Sequence, residues 1–380
     1  MLCQYSKKEI ILRYGRLTPF HIDIFGGGKM VKNIEFASID ITYNCNLRCL
    51  HCYNSSGGIK SFREELSDQE LLDVVEQIAE HKPVSFCICG GEPLLRKNLV
   101  YEIGKIIKSV SPKTTLNLVT NGFYVDKETA ETLKKVGYYM VQVSLDGVQA
   151  SSHNWMRNHE EAYNYATKAL KLLVEQNLYV GLACIPTKKN FDEFENLLDY
   201  AHDIGVKSFR VQPLMLLGRA DKNLKQEVLD EFDYFQLVEV LDRAKNKYKS
   251  MQIEWGDPVH HLEMYKDLTR EIRYIQVNAY GDLLASAYLP IDFGNLKSHK
   301  LNDVLEADFY TVNRMPLVQK MLKYIVSPED MNLKMFNKNI PEIGVDENIH
   351  LDLLDPNIHE IHNNYMKELF EVNVDENTTA

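Results

Sequence analysis

The sequence predicts an α/β protein built around a parallel sheet, because short apolar runs alternate with helical patterns from residue 36 onward. The ends of the helices are marked. Residues 67–70 (Ser-Asp-Gln-Glu) are typical of a capping box, and Gly137 and Gly205 follow helical segments as stop signals. Six strand and helix units precede about residue 220, which is too few for a complete eight-stranded barrel. The pattern therefore indicates an incomplete barrel, with a doubly wound sheet as the alternative.

The predicted strands are apolar runs that end at polar or glycine residues, and the predicted helices carry apolar residues three or four positions apart. The first helix shows this spacing at Leu71, Leu72, Val75 and Ile78. The strands are predicted at residues 34–42, 84–89, 116–119, 140–144, 180–185 and 208–216, and the helices from residue 67 and at residues 99–109, 127–136, 160–175 and 191–204.

Three regions are expected along the chain. Residues 1–35 are predicted to form a β-hairpin extension that covers the edge of the sheet, because apolar residues alternate around a run of three glycines. Residues 36–250 carry the repeated units. Residues 251–380 form a C-terminal region, in which residues 272–277 and 283–287 predict a second hairpin and later segments are helical. The length of 380 residues suits one large domain with a smaller one.

Composition narrows the class of protein. With 45% hydrophobic residues the chain can bury a full core, and its net charge of -11 argues against an extended nucleic-acid surface. No apolar run approaches the roughly 18 residues of a membrane span, and the first residues lack the core of a signal peptide. We therefore expect a globular, cytoplasmic protein, in a compartment that keeps its thiols reduced.

The most specific motif is a cysteine loop that follows the first predicted strand. Cys45, Cys49 and Cys52 have C-x3-C-x2-C spacing. Three thiolates on one tight loop can hold three corners of a [4Fe-4S] cluster and leave one iron open to another ligand. The alternatives are a zinc site or three unrelated thiols. Zinc would take a fourth ligand at a regular spacing, for which His51 inside the loop is poorly placed.

A second motif, Gly90-Gly91-Glu92-Pro93, follows the second predicted strand. Together with the cysteine loop it resembles the radical S-adenosylmethionine (SAM) superfamily, over residues 36 to about 220. The resemblance implies a partial TIM barrel, (β/α)6, with its active site at the C-terminal ends of the strands. It also implies two cofactors, one [4Fe-4S] cluster on Cys45, Cys49 and Cys52, and SAM.

The resemblance further implies which residues bind SAM. The Gly-Gly-Glu-Pro segment would hold the methionyl amino group, Ser144 and Arg157 would bind the carboxylate, and Asn190 would lie near the ribose. The alternative is a purely structural role, in which Thr120, Asn121 and Asp146 only form turns after their strands. The implied SAM-binding residues are Gly90, Gly91, Glu92, Pro93, Thr120, Asn121, Ser144, Asp146, Arg157 and Asn190.

The C-terminal region resembles the SPASM-type extension of peptide-modifying radical SAM enzymes, because a glycine hairpin precedes residues 292–296 (Asp-Phe-Gly-Asn-Leu). That extension normally carries cysteines for auxiliary clusters, and this chain has no cysteine after Cys184. We therefore expect a small α+β, SPASM-like and partly helical substrate domain without clusters.

The resemblance implies reductive cleavage of SAM to a 5'-deoxyadenosyl radical, with electrons from an external flavodoxin or ferredoxin type donor. The expected substrate is a ribosomally made peptide, modified by cross-linking, epimerisation or oxidation, and the N-terminal extension could grip its leader. The alternatives are an epimerase, dehydratase or decarboxylase acting on a small molecule, and a cluster-bearing binding protein without turnover.

No residue is assigned to the chemical step itself. Cys184 on the fifth strand is the one candidate, as a hydrogen donor to a substrate radical, although a core thiol is the simpler interpretation. Cys87 and Cys89 share one face of the second strand and are expected to be buried thiols or, as the alternative, extra ligands.

Overall fold

A computed structural model describes residues 33–58, 63–344 and 347–370. The hairpin expected within residues 1–35 lies outside the described residues, except for its last three positions. Within the described ranges, no helix combines the length and apolar character that a membrane crossing requires.

The described strands form one sheet of eleven strands. Seven parallel strands, β1 to β7, follow one another in chain order. On the other side of β1 lies β8, also parallel, followed by β9, which runs antiparallel to both β8 and β10, and by the short β11, which is parallel to β10. The strands are β1 Phe36–Asp40, β2 Ser85–Cys89, β3 Thr115–Thr120, β4 Met140–Ser144, β5 Tyr179–Cys184, β6 Ser208–Val211, β7 Gln252–Trp255, β8 Tyr274–Val277, β9 Asp282–Leu284, β10 Ile291–Asn295 and β11 Ile349–His350.

The helices connect these strands and pack their apolar faces on the sheet. The first begins at the predicted capping box, where the Ser67 hydroxyl accepts from the Glu70 backbone and the Glu70 carboxylate accepts from Ser67. The helices are α1 Asp68–Glu80, α2 Lys97–Val110, α3 Lys127–Lys135, α4 Ala150–Arg157, α5 Ala162–Glu175, α6 Phe194–Asp203, α7 Arg219–Asn223, α8 Glu231–Lys247, α9 Pro258–Lys266, α10 Leu301–Glu306, α11 Pro316–Tyr324 and α12 Ile358–Phe370.

Alternation along the parallel strands separates the core from the barrel interior. In β2, Phe86 and Ile88 are fully buried towards the helices, whereas Ser85, Cys87 and Cys89 point to the other face and are half-buried. β4 repeats this pattern. One face of the sheet therefore builds the core, and the other lines an internal cavity.

The predicted partial barrel is confirmed, and the sheet is not closed on itself. It contains two parallel strands beyond the six predicted units, β7 and β8. Strand β7 pairs with β6 in parallel and lies beyond residue 250, so the sheet continues past the boundary expected there. Strand β7 was not predicted because it has only four residues, and an alternation this short gives a weak signal.

The C-terminal hairpin predicted around Gly281 is formed by β8 and β9. Side chains of the hairpin and of two neighbouring segments bond to its Asp282. The Asp282 carboxylate accepts from Arg63 at 2.6 and 2.7 Å, from Asn278 Nδ2 at 2.8 Å and from Asn295 Nδ2 at 2.8 Å. A buried carboxylate with this many donors is a structural anchor for the hairpin.

Candidate active site

A cavity of about 520 Å³ extends from the C-terminal ends of the strands into the barrel interior. Most of the residues assigned from the sequence line it. Those that do are Cys45, Cys49, Cys52, Gly90, Gly91, Thr120, Asn121, Ser144, Asp146, Arg157 and Cys184.

The cysteine loop, residues 45–52, places hydrogen-bond donors around its sulfur atoms. The Leu47 backbone N–H donates to Cys45 Sγ at 3.4 Å, and Arg157 Nη1 lies 3.9 Å from Cys49 Sγ. Arg219, which also lines the cavity, holds the loop in place, because its Nε donates to the Cys49 carbonyl at 2.8 Å. Donors directed at cysteine sulfur are the means by which proteins stabilise iron–sulfur ligation.

The donor set fits a cluster. A single metal ion needs its ligands to converge on one point, and in the described part of the chain no group of three His, Cys, Asp or Glu does so. A cubane requires less convergence, because each thiolate binds a different iron. Burial raises the pKa of Cys45 to about 11 and also raises the pKa of Cys49, against the opposing charge of Arg157. Cluster binding must therefore displace protons from these thiols.

The two glycines form a close backbone cradle against the start of the cysteine loop. A Cβ on Gly90, whose φ is +142°, would lie 2.4 Å from the Thr42 carbonyl oxygen, and one on Gly91 would lie 2.2 Å from that of Asn44. The backbone N–H of Gly91 donates to the Thr42 carbonyl at 2.7 Å. Only glycine permits this approach, so the cradle and the cysteine loop are positioned together.

Glu92 lies behind the cavity wall rather than in it. Its side chain is completely buried and accepts from Leu94 N at 3.0 Å, Thr120 Oγ1 at 2.8 Å and Asn121 N at 2.8 Å. Burial raises the pKa of Glu92, although the hydrogen bonds from these three donors act to lower it. Glu92 therefore ties the end of β2 to the end of β3, while buried Pro93 begins the turn that follows. Direct contact between Glu92 and an ammonium group stays a prediction.

Asp146 and Arg157 form a buried ion pair at the end of β4. Arg157 Nε donates to Asp146 Oδ2 at 2.7 Å, and Asp146 Oδ1 accepts from the Ile185 backbone at 3.2 Å. Burial opposes both charges, but their mutual attraction outweighs it, lowering the pKa of Asp146 and raising that of Arg157. The guanidinium is thus kept charged beside Cys49, at the cavity, where its planar fork suits a carboxylate.

Asn190 supports this pair from behind. Its Nδ2 donates to the carbonyls of Asp146 at 2.6 Å and Ile185 at 3.0 Å, and its Oδ1 accepts from the Thr187 backbone. It is not among the residues that line the cavity. In this structure Asn190 holds the loop after β4, so a contact with the ribose stays a prediction.

Sequence reasoning missed one wall of the cavity, which comes from β1 and β8. Asp40 accepts from Gln276 Nε2 at 2.9 Å, across 236 residues of sequence, and burial raises the pKa of Asp40 to about 6. Tyr274 lies two positions before Gln276 and also lines the cavity. The alternation in β8 is a signal that could have placed both side chains on one face. Their partner strand was not evident from sequence.

Residues 39–201 match the sequence profile of the Radical SAM superfamily, so this part of the chain is a radical SAM domain and the resemblance found in the sequence is confirmed. The chain is similar to the sporulation killing factor maturation protein SkfB of Bacillus subtilis (strain 168), with 29% identity over 227 residues, 60% of this chain and 52% of SkfB. It is also similar to Fe-coproporphyrin III synthase of Methanosarcina barkeri, with 27% identity over 252 residues, 66% of this chain and 61% of the synthase. The chain thus spans between half and two thirds of the length of these two relatives.

A solved structure shares the fold. It is Streptococcus suis SuiB bound to its precursor peptide SuiA, which matches with a TM-score of 0.61 and 17% identity, covering 78% of this chain and 68% of SuiB. At this identity the likeness concerns the fold.

Proposed function

We propose that this chain is a radical SAM enzyme that binds one [4Fe-4S] cluster on Cys45, Cys49 and Cys52 and modifies a ribosomally made peptide. When bound, the cluster and SAM supply a 5'-deoxyadenosyl radical by reductive cleavage, which removes a hydrogen atom from an unactivated carbon. The observation that carries the proposal is that the three thiols, the glycine cradle and the buried Arg157 all line one cavity.

The chain's own residues would bind and orient SAM. Arg157, kept charged by Asp146, would hold the methionyl carboxylate close to Cys49. The cradle of Gly90 and Gly91 would bring backbone groups close to the amino end. The surrounding walls would keep water away from reactive species.

A peptide substrate is supported by the similarity to SkfB, a maturation protein, and to SuiB, whose structure contains a precursor peptide. The cavity volume of about 520 Å³ lies within the usual range of ligand pockets, so the cavity suits SAM together with part of a substrate. A redox-neutral outcome such as epimerisation is favoured over oxidation, since no cysteine after Cys184 is present to carry an auxiliary electron acceptor.

A small-molecule substrate is the second candidate. It is supported by the similarity to a synthase of Fe-coproporphyrin III, which extends over 66% of this chain. The same absence of later cysteines also favours it, because peptide-modifying members of the resembled group normally carry them.

We further propose a cytoplasmic setting and an external one-electron donor of the flavodoxin or ferredoxin class. Cluster thiolates persist only where oxidation is prevented. The net charge of -11 is unsuited to nucleic acid as a partner.

The test is anaerobic reconstitution with iron and sulfide, followed by SAM and dithionite. We expect about four irons per chain, as one cubane requires, and formation of 5'-deoxyadenosine. Cys45→Ala should lose both, whereas Cys184→Ser, a cysteine outside the loop, should keep its iron. Zinc as the bound metal, or 5'-deoxyadenosine from Cys45→Ala, would refute the proposal.

The substrate class needs a separate measurement. The rate of 5'-deoxyadenosine formation should rise when a synthetic peptide is supplied, with its sequence taken from a short reading frame beside the gene. If no such frame exists, or if its peptide is returned unmodified, the small-molecule candidate is favoured.

A further inference from the structure

Three arginines line the cavity, and they differ in what their guanidinium groups contact. Arg157 donates to the carboxylate of its ion pair, and Arg219 donates to two backbone carbonyls, at 2.8 and 3.0 Å. Among the described residues, the guanidinium of Arg210 donates no hydrogen bond, and its ion-pair partner Glu254 lies 3.7 Å from Nη1. One cation in the cavity therefore has donors that the protein leaves unused.

Packing holds Arg210 in place and keeps it open to the cavity. In the sheet it lies between Ala183 on β5, a small residue that also lines the cavity, and Glu254 on β7. A Cβ on Gly256 would lie 2.7 Å from both Nε and Nη2 of Arg210, so the missing side chain makes room for the guanidinium. Glu254 accepts a hydrogen bond from the Ser208 hydroxyl at 2.6 Å. It therefore attracts Arg210 without occupying its N–H groups.

Two further polar side chains, Gln212 and Tyr288, line the same part of the cavity. Gln212 Nε2 donates to the Tyr288 hydroxyl oxygen at 3.2 Å, and within the described ranges the hydroxyl hydrogen has no acceptor. The Tyr288 ring packs edge-on against His261, with ring centroids 5.5 Å apart. Burial raises the pKa of Tyr288, and the charge of Arg210 opposes this more than any other group does. Tyr288 thus stays protonated, near Arg210, with a hydrogen to donate.

This part of the cavity is separate from the residues expected to bind SAM. Those residues come from the ends of β2 to β5 and from the segments that follow these strands. Arg210 and Gln212 instead lie in β6 and directly after it, and Tyr288 lies between β9 and β10. The region around Arg210 therefore remains for a substrate when SAM is bound.

We propose that Arg210 binds a carboxylate of the substrate, with the Tyr288 hydroxyl as a second donor. This inference rests on the proposed function. A carboxylate matches the planar fork of a guanidinium, which can donate two parallel hydrogen bonds to it. A singly charged group suits the site better than a phosphate, because Glu254 offsets part of the positive charge.

The carboxylate has two possible sources with the same chemistry. It is the side chain of an aspartate or glutamate in a peptide, or the acid group of a small molecule. In either case a two-point contact fixes the orientation of the substrate as well as its position, so the same carbon is presented to the radical in each turnover.

The first experiment measures protection of Arg210 from phenylglyoxal, which modifies accessible guanidinium groups. The reconstituted protein is treated in the presence of SAM and without reductant, and each arginine is then quantified by mass spectrometry after digestion. The Arg210 side chain is 34% exposed and that of Arg157 is 9% exposed, so Arg210 should react and Arg157 should not.

The probes are a blocked tripeptide with a central glutamate and free propionate. Each should slow the modification of Arg210 about tenfold at a concentration about ten times its dissociation constant. The neutral controls, the corresponding glutamine tripeptide and propionamide, should not slow it. Protection by neither acid, or equal protection by the neutral controls, overturns the inference. Stronger binding of the tripeptide assigns the carboxylate to a peptide, and stronger binding of propionate assigns it to a small molecule.

The second experiment measures binding of the glutamate tripeptide to variants by saturation-transfer NMR. Arg210→Met should weaken binding about 10-fold or more and remove the preference for glutamate over glutamine. Gly256→Ala keeps the charge but displaces the guanidinium, so it should also weaken binding and reduce that preference. Arg243→Met is the control, because Arg243 on α8 is exposed and pairs with Glu195 outside the cavity.

Iron content and melting curves establish that the variants fold and hold the cluster. If Arg210→Met does not fold, Gly256→Ala carries the same test. Unchanged binding and preference in the folded variants, or a loss of binding in Arg243→Met as well, contradicts the role of Arg210.

The two proposals fail in different ways. A wild type that forms 5'-deoxyadenosine but binds the acids no better than their amides overturns the carboxylate site while the proposed function stands. A wild type that holds zinc, or that forms no 5'-deoxyadenosine, refutes the proposed function even if Arg210 binds the acids.

Discussion

The cavity rim, where Asp146 and Arg157 form an ion pair, and the C-terminal hairpin of β8 and β9 both contain buried charged side chains. The charges have different roles in the two regions. In the hairpin, Asp282 receives both ends of the Arg63 guanidinium and two asparagine amides. At the rim, Arg157 gives only Nε to Asp146, and its Nη1 meets a thiol at 3.9 Å. The hairpin therefore satisfies its charges internally. The rim holds a charge that has binding capacity left for a ligand.

This difference indicates that some buried charges stabilise the fold whereas others are available to bind a ligand. A buried charge whose partners all come from the protein strengthens the fold only if every donor is in place. A buried charge that faces a cavity can still bind a ligand strongly, since little rearrangement of the protein is needed when the ligand binds. Mutations in the two regions should accordingly separate stability from activity.

The largest effect is expected at Arg157. Arg157→Met leaves the Asp146 carboxylate buried without its cation, which should cost about 3–5 kcal/mol of unfolding free energy and abolish 5'-deoxyadenosine formation. Arg63→Met is the matched change for the hairpin carboxylate Asp282, because Arg63 is partly exposed and Asp282 keeps its two asparagine donors. It should lower stability less and leave cleavage per cluster unchanged. Equal losses of activity in both variants would erase the distinction between the regions.

The glycine cradle comes next. Gly91→Ala places a methyl group 2.2 Å from the Asn44 carbonyl oxygen, so the backbone must shift, and SAM cleavage should fall on the order of 100-fold. Gly181→Ala in β5 is the control, because the nearest atoms to its Cβ would be those of Gln142, at 3.4 Å or more. The comparison is made by 5'-deoxyadenosine formation at saturating SAM. A fully active Gly91→Ala protein would show that the cradle is not needed.

A pH test separates the carboxylates of the two regions. Burial raises the pKa of Asp40 to about 6, so the folded protein binds a proton that the unfolded chain releases, and stability falls as pH rises from about 4 to 6. Asp40→Asn removes this loss of stability. The loss amounts to at most about 3 kcal/mol, because the pKa rises from 3.8 to about 6 on folding. The advantage of Asp40→Asn over the wild type should therefore grow between pH 5 and 7.

Asp282→Asn is the control for that test. Burial opposes the charge of Asp282, but Arg63 holds its pKa below 3.8. Asp282 is therefore ionised from pH 5 to 7 in both the folded and the unfolded state, so its contribution to stability should not change with pH in that range. Urea unfolding of the reduced proteins measures both variants. Parallel curves for Asp40→Asn and the wild type would contradict the assigned pKa.

The smallest effect is expected at Asn295, which lies in β10 beside the hairpin. Asn295→Ala removes one donor from Asp282 and one from the Tyr280 carbonyl, while Arg63 stays in place. The cost should be about 1–2 kcal/mol, measured by urea unfolding, with SAM cleavage unchanged. If cleavage fell in parallel with stability, the hairpin would have to be counted as part of the site.

Local sequence was sufficient where one short segment carries the whole feature. The capping box at Ser67 and the hairpin at Gly281 were predicted and are present. The residues of α4 gave no helical signal, because they are mostly polar, and this helix delivers Arg157 to the cavity. The position of Arg157 was predicted from the resemblance instead.

The candidate residues at the cavity rim were predictable from the amino-acid sequence. The cysteine spacing, the two glycines and the polar ends of the strands are local patterns, and each depends on a few neighbouring residues. Which side chains face the cavity, and which support it from behind, depends on the tertiary fold. It placed β8 beside β1, turned Glu92 inward and brought Cys87 close to Cys89 on the interior face. The physical reason is that strand pairing and side-chain burial depend on contacts between distant segments, which local spacing does not specify.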